Sequence, residues 1–207
     1  MTDGIVRGDD GVSRCWWADS APEYRDYHDR EWGFPVADDI RLFEKLSLEG
    51  FQAGLSWLTI LRKRENFRRA FAGFDFTVVS RFGEGDVARL LNDASIIRHR
   101  GKIEAVINNA RRAVELVDAE GSVATYVWRF EPSSRGRRAL NRGEVPAQTP
   151  ESLAMAKDLK RRGWRFVGPT TVYAFMQAMG VVNDHLSGCS ARSHATRARR
   201  EFEVPGG

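Results

Sequence analysis

Lys160-Arg161-Arg162-Gly163-Trp164-Arg165-Phe166-Val167-Gly168-Pro169-Thr170-Thr171-Val172-Tyr173-Ala174-Phe175-Met176-Gln177-Ala178-Met179-Gly180 reads as helix, reversal, helix. Gly163 stops the first helix, the apolar turn Phe166-Val167-Gly168-Pro169 reverses the chain, and Thr170 or Thr171 falls in the first turn of the second. Amides at such a reversal point outward and can hold an anion such as a phosphate. Lys160, Arg161 and Arg165 bring positive charge to the same place. An ordinary tight link between two core helices fits these residues equally well.

Outward from this stretch, apolar residues recur at helical spacing rather than in alternation. One helix is predicted after Ser20 as N-cap, with Pro22 early and Gly33 and Pro35 stopping it. Another follows Asp38 or Asp39. Further helices are predicted over 58–71, 77–82, 86–92 and about 100–119, the last with Ile103, Val106, Ile107, Ala110, Ala113, Val114 and Val117 as its stripe. Residues 131–149, rich in Pro, Ser, Gly and Arg, are expected to be an exposed loop, and Thr149 or Glu151 opens the next helix. No alternating β-branched series is present, so the fold is expected to be all-α. Residues 1–12 and 191–207 are expected to be disordered tails around a single domain over 13–190.

In the helix after Asp39, Ile40, Phe43 and Leu46 recur at three-residue steps and predict one buried face. They lead into Leu48-Glu49-Gly50-Phe51-Gln52-Ala53-Gly54-Leu55-Ser56-Trp57. Glu49, set among apolar and small residues, is expected in a low-dielectric wall, where an unpartnered carboxylate is costly. Two readings stay open: a helix-end acid that reaches water, or a carboxylate and an indole, Trp57, converging on one pocket. Upstream, Tyr24, Tyr27 and His28 share one helical face.

The chain of 207 residues carries a net charge of +4 and no apolar run long enough to span a membrane. Its N-terminus lacks a signal layout, so a cytoplasmic setting is expected. The basic residues cluster: Lys157 to Arg165, Arg135 to Arg142, and Arg192 to Arg200. Clustering of this kind suits phosphate contacts, although solvated helix faces give the same pattern. Cys15 and His28 stand at one end of the chain, and His185 and Cys189 form His-x3-Cys at the other. Two thiolates and two imidazoles make a closed tetrahedral zinc set that would tie the ends together. Buried thiols and helix-capping histidines are the alternative. His99 is expected to donate a structural hydrogen bond.

Several segments together resemble the DNA-3-methyladenine glycosylase I family of the helix-hairpin-helix DNA glycosylases. They are Cys15-x-Trp17, Tyr27-His28-Asp29-x-Glu31-Trp32-Gly33, the stretch Leu48 to Trp57, and Lys63-Arg64-Glu65-Asn66. They continue with Ile96-Ile97-Arg98-His99-x-Gly101-Lys102-Ile103, Phe166-Val167-Gly168 and Val182-Asn183-Asp184-His185-x3-Cys189. The resemblance spans about 13–190 in order; the loop at 131–149 and the tail beyond Cys189 carry none of it.

That resemblance implies a helix-hairpin-helix fold with one structural Zn2+ held by Cys15, His28, His185 and Cys189. It implies a monofunctional enzyme, without strand cleavage, that flips 3-methyladenine out of alkylated double-stranded DNA and hydrolyses its glycosidic bond. Glu49 is the implied catalytic and base-recognising residue, with Trp57, Tyr27, Tyr24 and Trp17 walling the base. DNA contacts are expected from Gln52, Gly54, Leu55, Lys160, Arg161, Arg165, Val167, Gly168 and Thr170. Many helix-hairpin-helix glycosylases place a catalytic aspartate where this chain has Asn183; Asp184 is instead expected to orient His185. A monomer without a membrane or obligate protein partner is expected.

Overall fold

A computed structural model describes residues 4–133 and 140–206. Arg135, Arg137 and Arg138, part of the expected loop, lie outside the described residues. In chain order a two-stranded antiparallel ribbon, β1 (Ile5–Arg7) and β2 (Ser13–Cys15), precedes helices α1 (Pro22–Arg30), α2 (Asp39–Gln52), α3 (Trp57–Arg62) and α4 (Arg64–Ala70). There follow α5 (Phe76–Val79), α6 (Glu84–Asn92), α7 (Arg100–Glu120), α8 (Val123–Trp128), α9 (Pro150–Arg161), α10 (Pro169–Ala178) and α11 (Ser190–Glu201). The fold is thus mostly helical.

Two helices hold the core together. In α7, Ile103, Val106, Ile107, Ala110, Ala113 and Leu116 are buried, and His99 caps its start by accepting from the Lys102 amide at 3.2 Å. His99 therefore accepts rather than donates. In α2 every residue from Leu42 to Phe51 is buried, whereas Ile40 is exposed. The expected single stripe is replaced by burial all round, because α2 is packed by α3, α7, α8 and α10 at once.

The segment expected as one helix over 58–71 breaks at Lys63, whose φ/ψ of −99° and 0° leave the helical region. The helix α1 starts without a side-chain cap; Ser20 instead donates to the Trp17 carbonyl at 2.7 Å. The short α8 is too brief to leave a helical period in the sequence.

Among the described residues, the expected disordered tails are corrected at both ends. Ile5 pairs with Cys15 and Arg7 with Ser13, closed by a turn in which Gly8 and Val12 bond. Three-residue strands are too short to show alternation in the sequence. At the other end α11 buries only Ala191 and Ala195, so it has almost no apolar stripe. Polar side chains hold it: Arg192 donates to the carbonyls of Asn183 and His185, Asn183 donates to Thr196, and Arg199 pairs with Glu131 at 2.6 Å. Among the described residues no helix is long and apolar enough to cross a membrane.

Candidate active site and metal centre

A cavity of about 420 Å³ is lined by Trp17, Tyr24 and Tyr27 from the N-terminal segment, Lys45, Glu49 and Gln52 from α2, Trp57 from α3, and Gln177 from α10. Helical spacing of four puts Lys45 and Glu49 on one face of α2. Lys45 Nζ donates to Glu49 Oε1 at 2.6 Å, with both side chains more than nine-tenths buried. The same ammonium lies 3.2 Å from the centroid of the Trp57 ring and 5.1 Å from that of Tyr27. Burial draws the Lys45 pKa down, against the pull of Glu49. Burial likewise pushes the Tyr27 phenol well up, and the Glu49 charge adds to it.

Trp57 is held by the start of its own helix. Ser56 caps α3 by accepting from the Thr59 amide, and the Leu58 amide donates to the Tyr24 hydroxyl at 2.8 Å. Tyr24 thus fixes the indole as well as lining the cavity. The Tyr27 and Trp57 rings lie 5.5 Å apart at 44°. Gly50, beside Glu49, is where the 162–168 turn seats on α2. A Cβ there would meet the Phe166 Cβ at 3.3 Å, so a hydrogen at this position brings the turn and the cavity wall together.

The segment after α2 is tied back by Lys102, which donates to the carbonyls of Phe51 at 2.8 Å and Ala53 at 2.6 Å. Beyond that tie Gly54 adopts a φ of 81° and Leu55 stands exposed, while Gln52 lines the cavity. The reversal between α9 and α10 is braced by Asn109, which accepts from the Arg165 amide at 2.8 Å and donates to its carbonyl at 2.9 Å. Val167 is buried beneath it. The first bond of α10 runs from the Val172 amide to the Gly168 carbonyl, so the Thr170 and Thr171 amides precede the helix ladder. Lys160, Arg165 and Thr170 are exposed on this side, whereas Arg161 is engaged by Asp158 in its own helix.

Next to the cavity the four expected donors converge. Cys15 ends β2, His28 lies in α1, and His185 and Cys189 flank the turn before α11. Their ligand atoms lie within 4.8 Å of one another, all buried. Cys189 Sγ is 3.4 Å from His28 Nε2 and 3.6 Å from His185 Nδ1, the two imidazole nitrogens are 3.2 Å apart, and Cys15 Sγ is 4.0 Å from His185 Nδ1. Tetrahedral ligands of a first-row metal stand about 3.3–3.8 Å apart, so the set is compatible with such an ion. The outer nitrogens are already spoken for: His28 Nδ1 donates to Asp29 at 2.8 Å and His185 Nε2 to the Trp32 carbonyl at 2.9 Å. Each imidazole therefore turns a lone pair inward, as a metal requires. Hydrogen bonding between the two thiols pulls Cys189 down and pushes Cys15 up. Gly33, at φ 85°, presses against the His185 ring, where a Cβ would lie 3.0 Å from two ring atoms.

Asp184 does not orient His185, contrary to expectation. Its Oδ2 accepts from Tyr173 at 2.5 Å and from Gln177 at 2.8 Å, and it lines the cavity. The Trp32 carbonyl takes the bracing role at His185 instead. Asn183 is structural, donating to the Arg192 carbonyl and to Thr196. The residue that sequence reasoning missed is Lys45. Its spacing of four from Glu49 was readable, but that spacing is common on solvated helix faces and carries no sign of burial.

The methyladenine glycosylase family matches residues 17–193 of this chain. The chain is 48% identical over 179 residues to DNA-3-methyladenine glycosylase 1 of Escherichia coli (strain K12), covering 86% of this chain and 96% of that one. It is 41% identical over 185 residues to DNA-3-methyladenine glycosylase of Haemophilus influenzae, covering 88% and 99%. Among solved structures, a crystal structure of 3-methyladenine DNA glycosylase I superposes with a TM-score of 0.80 at 49% identity over 86% of this chain and 98% of that one. The Staphylococcus aureus enzyme, solved to explain its recognition of 3-methyladenine, matches with a TM-score of 0.80 at 34% identity over 85% and 94%.

Proposed function

The chain belongs to the methyladenine glycosylase family, and from that membership we propose how its cavity works. It hydrolyses the N-glycosidic bond of 3-methyladenine in alkylated DNA, a base-excision repair reaction. Such an enzyme takes the damaged base out of the stack into a pocket. Methylation at N3 leaves that base positively charged while it is still attached to its sugar. The charged purine lies on the Trp57 ring, and the Glu49 carboxylate accepts hydrogen bonds from its amino edge. Trp17 and Tyr27 close the sides.

One observation carries this reading: the cavity already holds a positive charge. The Lys45 ammonium sits 2.6 Å from Glu49 and 3.2 Å from the centre of Trp57, the two contacts proposed for the base. A cation over an indole gains about 0.5–2 kcal/mol, rising with desolvation. Neutral adenine has no such gain, so damage is recognised by charge.

The leaving base needs no proton, because cleavage neutralises it. This fits a site without an aspartate at Asn183. We assign Lys45 no Schiff-base role, since its ammonium is held by Glu49, and the enzyme is monofunctional. Alkylated duplex DNA incubated with the protein should release 3-methyladenine, identified by chromatography, and leave the strand intact. Borohydride should trap no covalent protein–DNA adduct. Release of no purine, or of adenine just as readily, refutes the assignment.

The reversal between α9 and α10 acts as the hairpin of a helix-hairpin-helix unit. Amides at Val167, Gly168 and Thr170 grip a phosphate, with Lys160 and Arg165 adding charge and Arg161 contributing less. Leu55, with Gly54 beside it, fills the gap left by the flipped base. Gln52 works from the cavity wall. Cys15, His28, His185 and Cys189 hold one Zn2+, which in a closed four-ligand site is structural. The catalytic unit is 13–190, acting as a monomer, with β1 and α11 packed on as attachments.

A further inference from the structure

The seat proposed for the damaged base lies between a carboxylate and an indole, and a side chain of the protein occupies it. Lys45 Nζ makes both of the contacts that a cationic purine would make, at 2.6 Å to Glu49 and 3.2 Å to the Trp57 centroid. The ammonium covers the Trp57 face on which a purine would stack and takes one Glu49 oxygen, so a base reaches that face only by displacing it. The flexible stem of lysine allows the movement. We infer that Lys45 is a tethered competitor for this seat, admitting a charged base and driving out the uncharged product. This role rests on the assignment of Glu49 and Trp57 as the base site.

The cost of moving Lys45 is the same for every base, but the recovery is not. A cationic base regains both the charge pairing with Glu49 and the attraction of the Trp57 face. A neutral base regains only hydrogen bonds. A uniform cost of this kind turns a difference in affinity into a difference in occupancy.

The charge of the base then changes during the reaction. When the C1′–N9 bond breaks, its electron pair stays on N9 and the purine becomes neutral, while the sugar carbon takes the positive charge. Water adds its oxygen to C1′ and loses a proton, leaving an abasic sugar, a free base and a proton. At that point the purine no longer outcompetes the ammonium. Lys45 returns to Glu49 and Trp57, and the product leaves. Burial that draws the ammonium pKa down, against Glu49, fits a charge held in place by its partner rather than by solvent.

The rival role is positional: Lys45 merely holds Glu49 in place. The two roles predict opposite effects on base binding. Titrating the full-length protein with 3-methyladenine and with adenine, followed by calorimetry, should show both binding about tenfold more tightly to K45M than to wild type. Multiple-turnover excision by K45M should show a burst followed by a slower steady rate set by base release. Unchanged or weaker binding in K45M overturns the competitor role. Because K45M leaves Glu49 buried without a counter-ion, K45M/E49Q is compared with E49Q in parallel, removing both charges together. The double variant should bind adenine more tightly than E49Q, and equal or weaker binding again overturns the role. W57A tests the seat itself: it should weaken both bases, and unchanged binding there refutes the base site rather than the competition.

Discussion

The four-donor cluster and the Lys45–Glu49–Trp57 seat lie on either side of one indole. Trp17 meets the His28 ring at 5.1 Å on one side and lines the cavity on the other. In the cluster each group has a fixed partner: the outer nitrogens of His28 and His185 are bonded to Asp29 and Trp32, and Asp29 is clamped by Arg14 at 2.8 Å. Nothing in it is free to exchange, which suits a tie between chain ends. In the seat the Glu49 carboxylate and the Trp57 ring are both met by a flexible side chain from α2, the helix that carries Glu49. A buried charge pair of this kind is tolerated because it is paired, yet its cation can be traded for another.

The strongest way to break the comparison is at the permanent side. Cys189→Ser should remove the metal, measured as loss of about one zinc per chain by mass spectrometry, and destabilise the protein by about 4 kcal/mol. For a chain of this size that lowers the melting temperature by roughly 8–16 °C. Retention of wild-type metal content and melting would show that the four donors do not form the tie.

On the exchangeable side, Glu49→Gln keeps the shape of the seat and removes its charge. Single-turnover release of 3-methyladenine should fall about 100-fold, the scale of losing one preorganised electrostatic contact. Affinity for undamaged duplex, measured by fluorescence anisotropy, should stay within about threefold. Equal losses in the two assays would make Glu49 part of DNA docking instead.

The basic hairpin offers a smaller contrast between an open and an engaged cation. Arg165→Gln should weaken DNA binding and lower the slope of log affinity against log salt by about 1. Arg161→Gln should change the slope less, since Asp158 already holds that guanidinium. Equal slopes for the two variants would remove Arg165 from the phosphate contacts.

The smallest effect concerns a half-buried pair that tethers the end of α1 to the start of α4. Arg64 donates to Glu31 at 2.6 and 2.8 Å. Burial pushes the Glu31 carboxyl up, but the Arg64 hydrogen bonds and charge outweigh it and leave it below its ordinary value of 4.5. The unfolded chain therefore binds more protons in this window. The pair contributes stability above about pH 4.5 that is lost as pH falls through the folded value. Arg64→Met should cost about 1 kcal/mol at neutral pH and flatten the acid limb of the stability profile, read by denaturant titrations between pH 3 and 7. An unchanged acid limb would assign the pH dependence to other carboxylates.

Much of the site was legible because its chemistry sits in unusual residue combinations. Glu49 among apolar and small neighbours, Trp57 eight residues on, and Cys and His at both ends each left a local mark. The long period of α7 and the Gly163 to Pro169 reversal marked the helices in the same way. What left no mark depended on distant partners. Tyr24 reaches across to the Leu58 amide, Asp184 is claimed by Tyr173 and Gln177, and α11 is fastened by arginines rather than by an apolar stripe. Hydrogen bonds of this kind have no periodicity, so composition and spacing cannot report them.

The sequence alone determined the helical character, the four metal-type donors and the pairing of an acid with an indole, since these rest on residue type and local spacing. Only the tertiary structure decided that Ile5–Arg7 forms a strand and Ser190–Glu201 a helix, that Gly50 admits the hairpin, and that Lys45 fills the seat. Cys15 and His185 meet across 170 residues of chain. Whether an ammonium points at water or at Glu49 and Trp57 depends on burial, which packing creates and which spacing does not encode.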